Sequence, residues 1–153
     1  MLDVSGFGLT GLLIATSTYP VGVPLTQFAA DADPLDMSSM DIAEGEMGLN
    51  GDLIVWERAQ VIKVQLAVIP GSADDIALQI LFDANRPAQG NTNVQDLITL
   101  TIIYPGNNAG GVPSQITFIL GKLTAGMPGR SVSSSGKMKT KTYHFIFQNK
   151  VGG

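Results

Sequence analysis

"GSADDIALQILFDANR", residues 71–86, is the one stretch of this chain that reads as a helix, and it lies among segments that read as strands. Ser72 stands three residues ahead of Asp75, a capping pair with Asp in place of the usual Glu. Asp74 and Asp75 suit the positive end of the helix dipole. Ala73, Ile76, Ala77, Ile80, Leu81 and Ala84 recur at three-and-four spacing, which predicts one apolar stripe packed on a sheet. Arg86 falls in the last turn, and Pro87 stops the helix.

Outward from the helix the period changes to two. Ile62, Val64, Leu66 and Val68 alternate with Val61, Lys63, Gln65, Ala67 and Ile69, the pattern of a half-buried antiparallel strand. Leu53 to Trp56 is further strand material. Residues 9–18 and 22–29 read as two strands around a Tyr19–Gly22 turn. Downstream, "LITLTIIY" (97–104), "QITFILGKL" (115–123) and "KMKTKTYHFIFQ" (137–148) supply three more, joined by loops of Gly, Pro, Ser and Asn. The pattern predicts a mainly β fold: an antiparallel β-sandwich or barrel with one flanking helix at about 72–86. A length of 153 residues suits a single domain over 1–153, with residues 1–8 as an N-terminal arm.

Residues 30–52, "ADADPLDMSSMDIAEGEMGLNGD", break the rhythm and read as a long extended loop. The Asn50-Gly51 dipeptide is a strong hairpin signal. Met37, Met40, Ile42, Met47 and Leu49 are threaded through the acids. A solvated loop has no use for three methionines, whereas methionine adapts well to interfaces. The segment reads as an extension that docks onto something.

Charge supports that reading. Only 14% of residues are charged, against about 25% in ordinary soluble domains. A surface so poor in charge is best explained if other subunits cover much of it. The charges are also sorted along the chain. Residues 1–57 hold nine acids and no Lys or Arg, while residues 121–153 hold Lys122, Arg130, Lys137, Lys139, Lys141 and Lys150 and no acid. Such sorting within one chain suits head-to-tail contact between copies. Lys137, Lys139 and Lys141 alternate with Met138, Thr140 and Thr142, so on a strand the three would project from one side.

The residues offer little chemistry. "GFGLTG", residues 6–11, spells a dinucleotide fingerprint, with Asp31 at about the spacing of a ribose-binding acid. The fingerprint requires a helix after the glycines, but the following segment is a short β-branched strand. His144 is the lone histidine, and the acids lie far from it in sequence. Asp31, Asp33 and Asp36 do not fit a calcium loop, and there is no cysteine for thiolate ligation. Val4–Ala30 is uncharged but too broken by Pro and Gly to span a membrane, and no export signal is visible. No enzyme activity, cofactor, metal or membrane association is expected.

The order of elements resembles the tail tube proteins of contractile and long-tailed bacteriophages, a family shared with the tube proteins of type VI secretion. The likeness rests on a strand pair, an Asp-rich extension through "FAADADPLDM", further strands, "PGSADDIALQILFDANR" as the flanking helix, and glycine-rich loops into "SGKMKTKTYHFIF". It spans nearly the whole chain. It implies hexameric rings stacked into a hollow tube through which DNA passes without specific binding. The place would be the virion, after assembly in the host cytoplasm, and the partners would be the chain itself with tail sheath, baseplate and tail terminator proteins.

The resemblance also implies that the loop at 30–52 docks one ring on the next, through Asp31, Asp33, Asp36, Met37, Met40, Asp41, Glu44, Glu46 and Met47. Lys137, Lys139 and Lys141 would form the complementary basic face. Gln65, Thr99, Thr101, Gln115 and Thr117, on the polar parity of their strands, are the lumen candidates, although Lys63 shares the parity of Gln65. The alternative is a β-sandwich that binds a ligand such as carbohydrate, for which Trp56 and the three tyrosines would serve.

Overall fold

The computed structural model describes residues 8–29, 33–90, 94–105 and 114–153. Within them lie strands β1 (Thr10–Ala15), β2 (Tyr19–Leu25), β3 (Leu35–Met37), β4 (Ala43–Met47), β5 (Leu53–Glu57) and β6 (Ile62–Val68). Helix α1 (Ala73–Asn85) follows, then β7 (Ile98–Ile103), β8 (Gln115–Ala125) and β9 (Lys141–Gly152). Seven strands form one antiparallel sheet in the order β2-β1-β7-β8-β9-β6-β3, and β4 and β5 pair only with each other.

The alternation seen in the sequence sets the two faces of this sheet. Leu13, Leu66, Leu100, Phe118, Phe145 and Phe147 point to one side and join Leu78 and Leu81 of α1 in a single core. Phe118 and Phe147 stack with ring centroids 5.1 Å apart. The sheet curls around this core until the chain leaving β2 reaches β6: Phe28 bridges Val68, and the Ala29 N–H donates to the Ala67 carbonyl at 3.0 Å. It does not close into a barrel. β2 and β3 remain its edges. Pro20 and Pro24 on β2 lack the N–H that a further strand would need, so that edge is closed to strand addition.

Several expected boundaries move, each for a tertiary reason. The first turn lies at residues 16–18, not at Tyr19–Gly22. Asp96 holds it there, accepting from the Ser17 N–H at 2.6 Å, the Thr18 N–H at 3.2 Å and the Thr18 hydroxyl at 2.5 Å. On α1, Ser72 caps the helix by accepting from the Asp75 N–H at 3.2 Å, as the capping pair predicts. The buried stripe, however, is Asp74, Asp75, Leu78, Leu81 and Asn85. Ile76 and Ile80, expected to face the sheet, are 50% and 51% exposed. The helix is rotated because its polar residues face inward to satisfy backbone groups. Asp74 accepts from the Thr26 and Gln27 N–H groups at 2.7 and 2.6 Å.

β8 carries a bulge where Ile98 pairs with Gly121 and Leu100 with Phe118. Leu120, at φ 54°, is the irregular residue, and after it the buried parity switches from Ile116 and Phe118 to Gly121 and Leu123. Gly121 is required there, because a Cβ would come 2.1 Å from the Phe147 ring. Among the described residues no helix is long and apolar enough to cross a membrane.

Candidate assembly interface

The expected extension at 30–52 is in part a hairpin, displaced toward the C-terminus: it runs from Ala43 to Glu57, while Leu35–Met37 of the expected loop forms β3 in the main sheet. β4 and β5 pair with Ala43 opposite Glu57, Gly45 opposite Val55 and Met47 opposite Leu53. The turn is Gly48–Asp52, closed by the Gly48 N–H donating to the Asp52 carbonyl at 2.7 Å, with Gly51 at φ 85°. The Asn50-Gly51 signal therefore holds. Leu53 to Trp56, read as strand material, forms the hairpin's second half. The signal for that was present, since an Asn-Gly turn needs a strand on each side.

Direct pairing places opposite residues on the same face. One face carries Ala43, Gly45, Met47, Leu53 and Val55, with Glu57 at its end; the other carries Glu44 and Glu46 with Ile54 and Trp56. Both faces are exposed along the full length of both strands. Met47 is 65% exposed, Leu53 67%, and Leu49 at the tip is fully exposed. Five carboxylates, those of Asp41, Glu44, Glu46, Asp52 and Glu57, surround this apolar surface, with Arg58 as the one cation. Arg58 pairs with Glu44, which also accepts from the Trp56 indole N–H at 3.1 Å. A two-stranded hairpin with no sheet or helix behind it is marginal at best in water. Its apolar residues have no core of their own to join.

The other predicted contact residues divide. Asp31 lies outside the described residues. Asp33 is exposed before β3, and Asp36 is exposed on β3. Met37 is not on the protrusion but packs against the core from β3, because β3 pairs with β6, Met37 opposite Val64. Met40 and Asp41 lead into the hairpin, where the Asp41 N–H donates to Gln60 at 3.3 Å.

The three lysines do not form one exposed row. β9 begins only at Lys141, so Lys137 and Lys139 lie on the preceding loop, where they are exposed. Lys141 is 1% exposed. Its ammonium sits 3.1 Å from Asp75, donates to Gln79 at 2.5 Å and lies over the Tyr143 ring. Burial alone would raise the Asp75 carboxyl, but the Gly71 N–H, Lys141 and the Tyr143 hydroxyl hold it below the ordinary carboxylate range. Burial, and then the hydrogen bond to Asp75, push the Tyr143 hydroxyl far upward.

Gln65, Thr99, Thr101, Gln115 and Thr117 all occupy the sheet face turned away from α1, alternating with the buried set. Thr101 and Thr117 are paired across β7 and β8, their hydroxyls 3.3 Å apart. Lys63 is exposed on the same face.

A strand, not a helix, follows "GFGLTG". His144 is half-buried on β9 opposite Gln65. Among the described residues no group of three His, Cys, Asp or Glu is placed to hold a metal. The aromatics form no shared platform: Tyr143 is buried, Tyr19 donates to the Ala77 carbonyl at 2.9 Å, and Trp56 belongs to the hairpin.

The family described as tail fiber protein gp32 matches residues 2–151, and the chain belongs to it. No curated protein matches the chain. The fold is shared with a chain in the cryo-EM structure of the anti-feeding prophage baseplate, 6-fold symmetrised, at TM-score 0.58 and 12% identity, covering 100% of this chain and 96% of that one. A chain in the anti-feeding prophage cap, the tube-terminating cap, matches at TM-score 0.55 and 12% identity, covering 100% and 92%. The protein is thus phage-tail-like, and the family shown is that of a tail fiber protein, where the sequence resemblance pointed to a tail tube protein.

Proposed function

We propose, with membership of the gp32 tail fiber family as the premise, that this protein is a self-assembling structural subunit of a phage tail, forming stacked hexameric rings around a lumen. The observation that carries this reading is the protruding hairpin, whose exposed Met47, Leu49, Leu53 and Val55 need a neighbour to cover them. The uncharged patch of Thr99, Thr101, Gln115 and Thr117 suits a wall along which DNA slides, since a dense lysine lining would bind phosphate tightly; Lys63 and Lys122, both opposite Ile146, are the cations on the same face. In this reading the protein is not an enzyme and works in the virion after assembly in the host cytoplasm. Its partners are further copies of itself together with sheath, baseplate and terminator proteins.

Negative-stain electron microscopy of the purified protein tests this. Rings or tubes are expected from the intact chain. A variant in which a short Gly-Ser link replaces residues 43–57 should keep the far-ultraviolet spectrum of a folded sheet and remain dispersed. Long tubes formed by that variant would remove the hairpin from the assembly contact. An intact chain that stays monomeric at all concentrations would overturn the proposed function.

A further inference from the structure

Two ribbons leave the sheet from opposite ends of β6. The long acidic hairpin departs beside Lys63, whose carbonyl accepts from the Ser38 N–H at 3.4 Å, and returns into Ile62. At the far end of β6, Val68 faces Lys141 at the start of β9, and a smaller ribbon at residues 131–139 immediately precedes that lysine. In the small ribbon the Ser133 N–H donates to the Lys137 carbonyl, and the Lys139 N–H to the Ser131 carbonyl, both at 2.8 Å. Val132 bridges Met138, and the two are 60% and 43% exposed. Both ends of this ribbon are tied to Asp75, by Arg130 at 4.0 Å and by Lys141 at 3.1 Å.

We propose that the 131–139 ribbon is the surface that receives the acidic hairpin of a second copy of this chain. Charge is the first argument. Arg130, Lys137 and Lys139 belong to a chain segment that has no Asp or Glu after Asp96, whereas the hairpin carries five carboxylates against one cation. Apolar matching is the second: Val132 and Met138 offer cover for Met47 and Leu53, which have none in their own subunit. Position is the third. Complementary surfaces at opposite ends of one sheet make a heterologous contact that repeats from copy to copy. Joining two like ends would set carboxylate against carboxylate, which gives the assembly a polarity. The burial of Lys141 narrows the receiving surface to the ribbon itself. This inference rests on the self-assembly reading above and specifies its docking site.

The chain has no cysteine, so introduced thiols report contacts directly. Chains carrying Met47→Cys and chains carrying Met138→Cys are mixed under mild oxidation and read by non-reducing electrophoresis and mass spectrometry. Met47→Cys mixed with Val21→Cys, on the edge strand β2, sets the level of random collision. The expected result is a mixed disulfide of Met47→Cys with Met138→Cys at least tenfold above that level, reduced severalfold by Lys137→Glu with Lys139→Glu. Coupling of Met47→Cys to Leu120→Cys, at the bulge on the opposite sheet face, with none to Met138→Cys would overturn this docking site and leave self-assembly standing. No coupling at either position, with oligomers still present by sedimentation, would also overturn only the docking site. No coupling together with a monomeric wild-type chain would overturn both.

Discussion

Asp75 shows how much a single residue does in this fold. Its carboxylate accepts from the Gly71 N–H at 2.8 Å and the Tyr143 hydroxyl at 2.9 Å, and pairs with Lys141 at 3.1 Å. One group therefore ties the helix start to β9. Removing one partner of a buried ion pair leaves the other charge uncompensated, so Lys141→Ala should cost about 3–5 kcal/mol in urea unfolding. The double change Lys141→Met with Asp75→Asn should recover most of that loss. A double variant as unstable as Lys141→Ala would show that packing, and not the stranded charge, sets the cost. The same groups set the acid response. Asp75 and Asp96 both titrate below the ordinary carboxylate value in the folded protein. Their contribution is present above the unfolded value of about 3.9 and is lost as pH falls through the folded values. Acid unfolding followed by circular dichroism should thus begin below about pH 4, and Asp96→Asn should make stability less dependent on pH there.

At the scale of elements, the hairpin and the helix were legible to different degrees. The Asn50-Gly51 turn and the Ser72 cap are local chemistry, and both appear where the residues placed them. The helix face was misread because Asp74, Asp75 and Asn85 look like solvent residues until Thr26, Gln27, Lys141 and Asp96 arrive from distant segments. Apolar periodicity alone favoured Ile76 and Ile80. Leu53 to Trp56 reads as strand material without a place in the fold, because "LIVW" is as apolar as any core strand. What distinguishes it is the missing sheet behind it. An unsupported ribbon should open readily. Amides of β4 and β5 should therefore exchange with solvent much faster than those of β9 in the dispersed protein, and slow by at least tenfold on assembly. Equal protection in both states, by hydrogen exchange, would mean that assembly leaves the hairpin uncovered.

At the scale of the whole molecule, the acidic hairpin and the ribbon bearing Lys137 and Lys139 leave the sheet from opposite ends of β6. Exposed ion pairs contribute about 0–1 kcal/mol each, so charge should orient the copies more than hold them together. In the proposed assembly, apolar cover of the hairpin by a neighbouring copy should supply more, at about 25 cal/mol per Å² removed from water. Sodium chloride shortens the screening length from about 30 Å at 0.01 M to about 10 Å at 0.1 M. Raising it over that range should increase the critical concentration for assembly severalfold without abolishing assembly. A critical concentration unmoved by salt, measured by sedimentation, would indicate that the sorted charges do not meet across copies.

By itself the sequence determined the β class, the single capped helix, the hairpin turn and the separation of acids from lysines. Each rests on neighbours within a few residues or on composition, so no distant contact is needed to read it. Only the tertiary structure decided which face α1 buries, that Lys141 turns inward to Asp75, that β5 leaves the body to pair with β4, and that the two ribbons point from opposite ends of the sheet. Those outcomes depend on which segments meet across tens of residues, and the side chains that decide them are polar groups whose partners are far away in the chain.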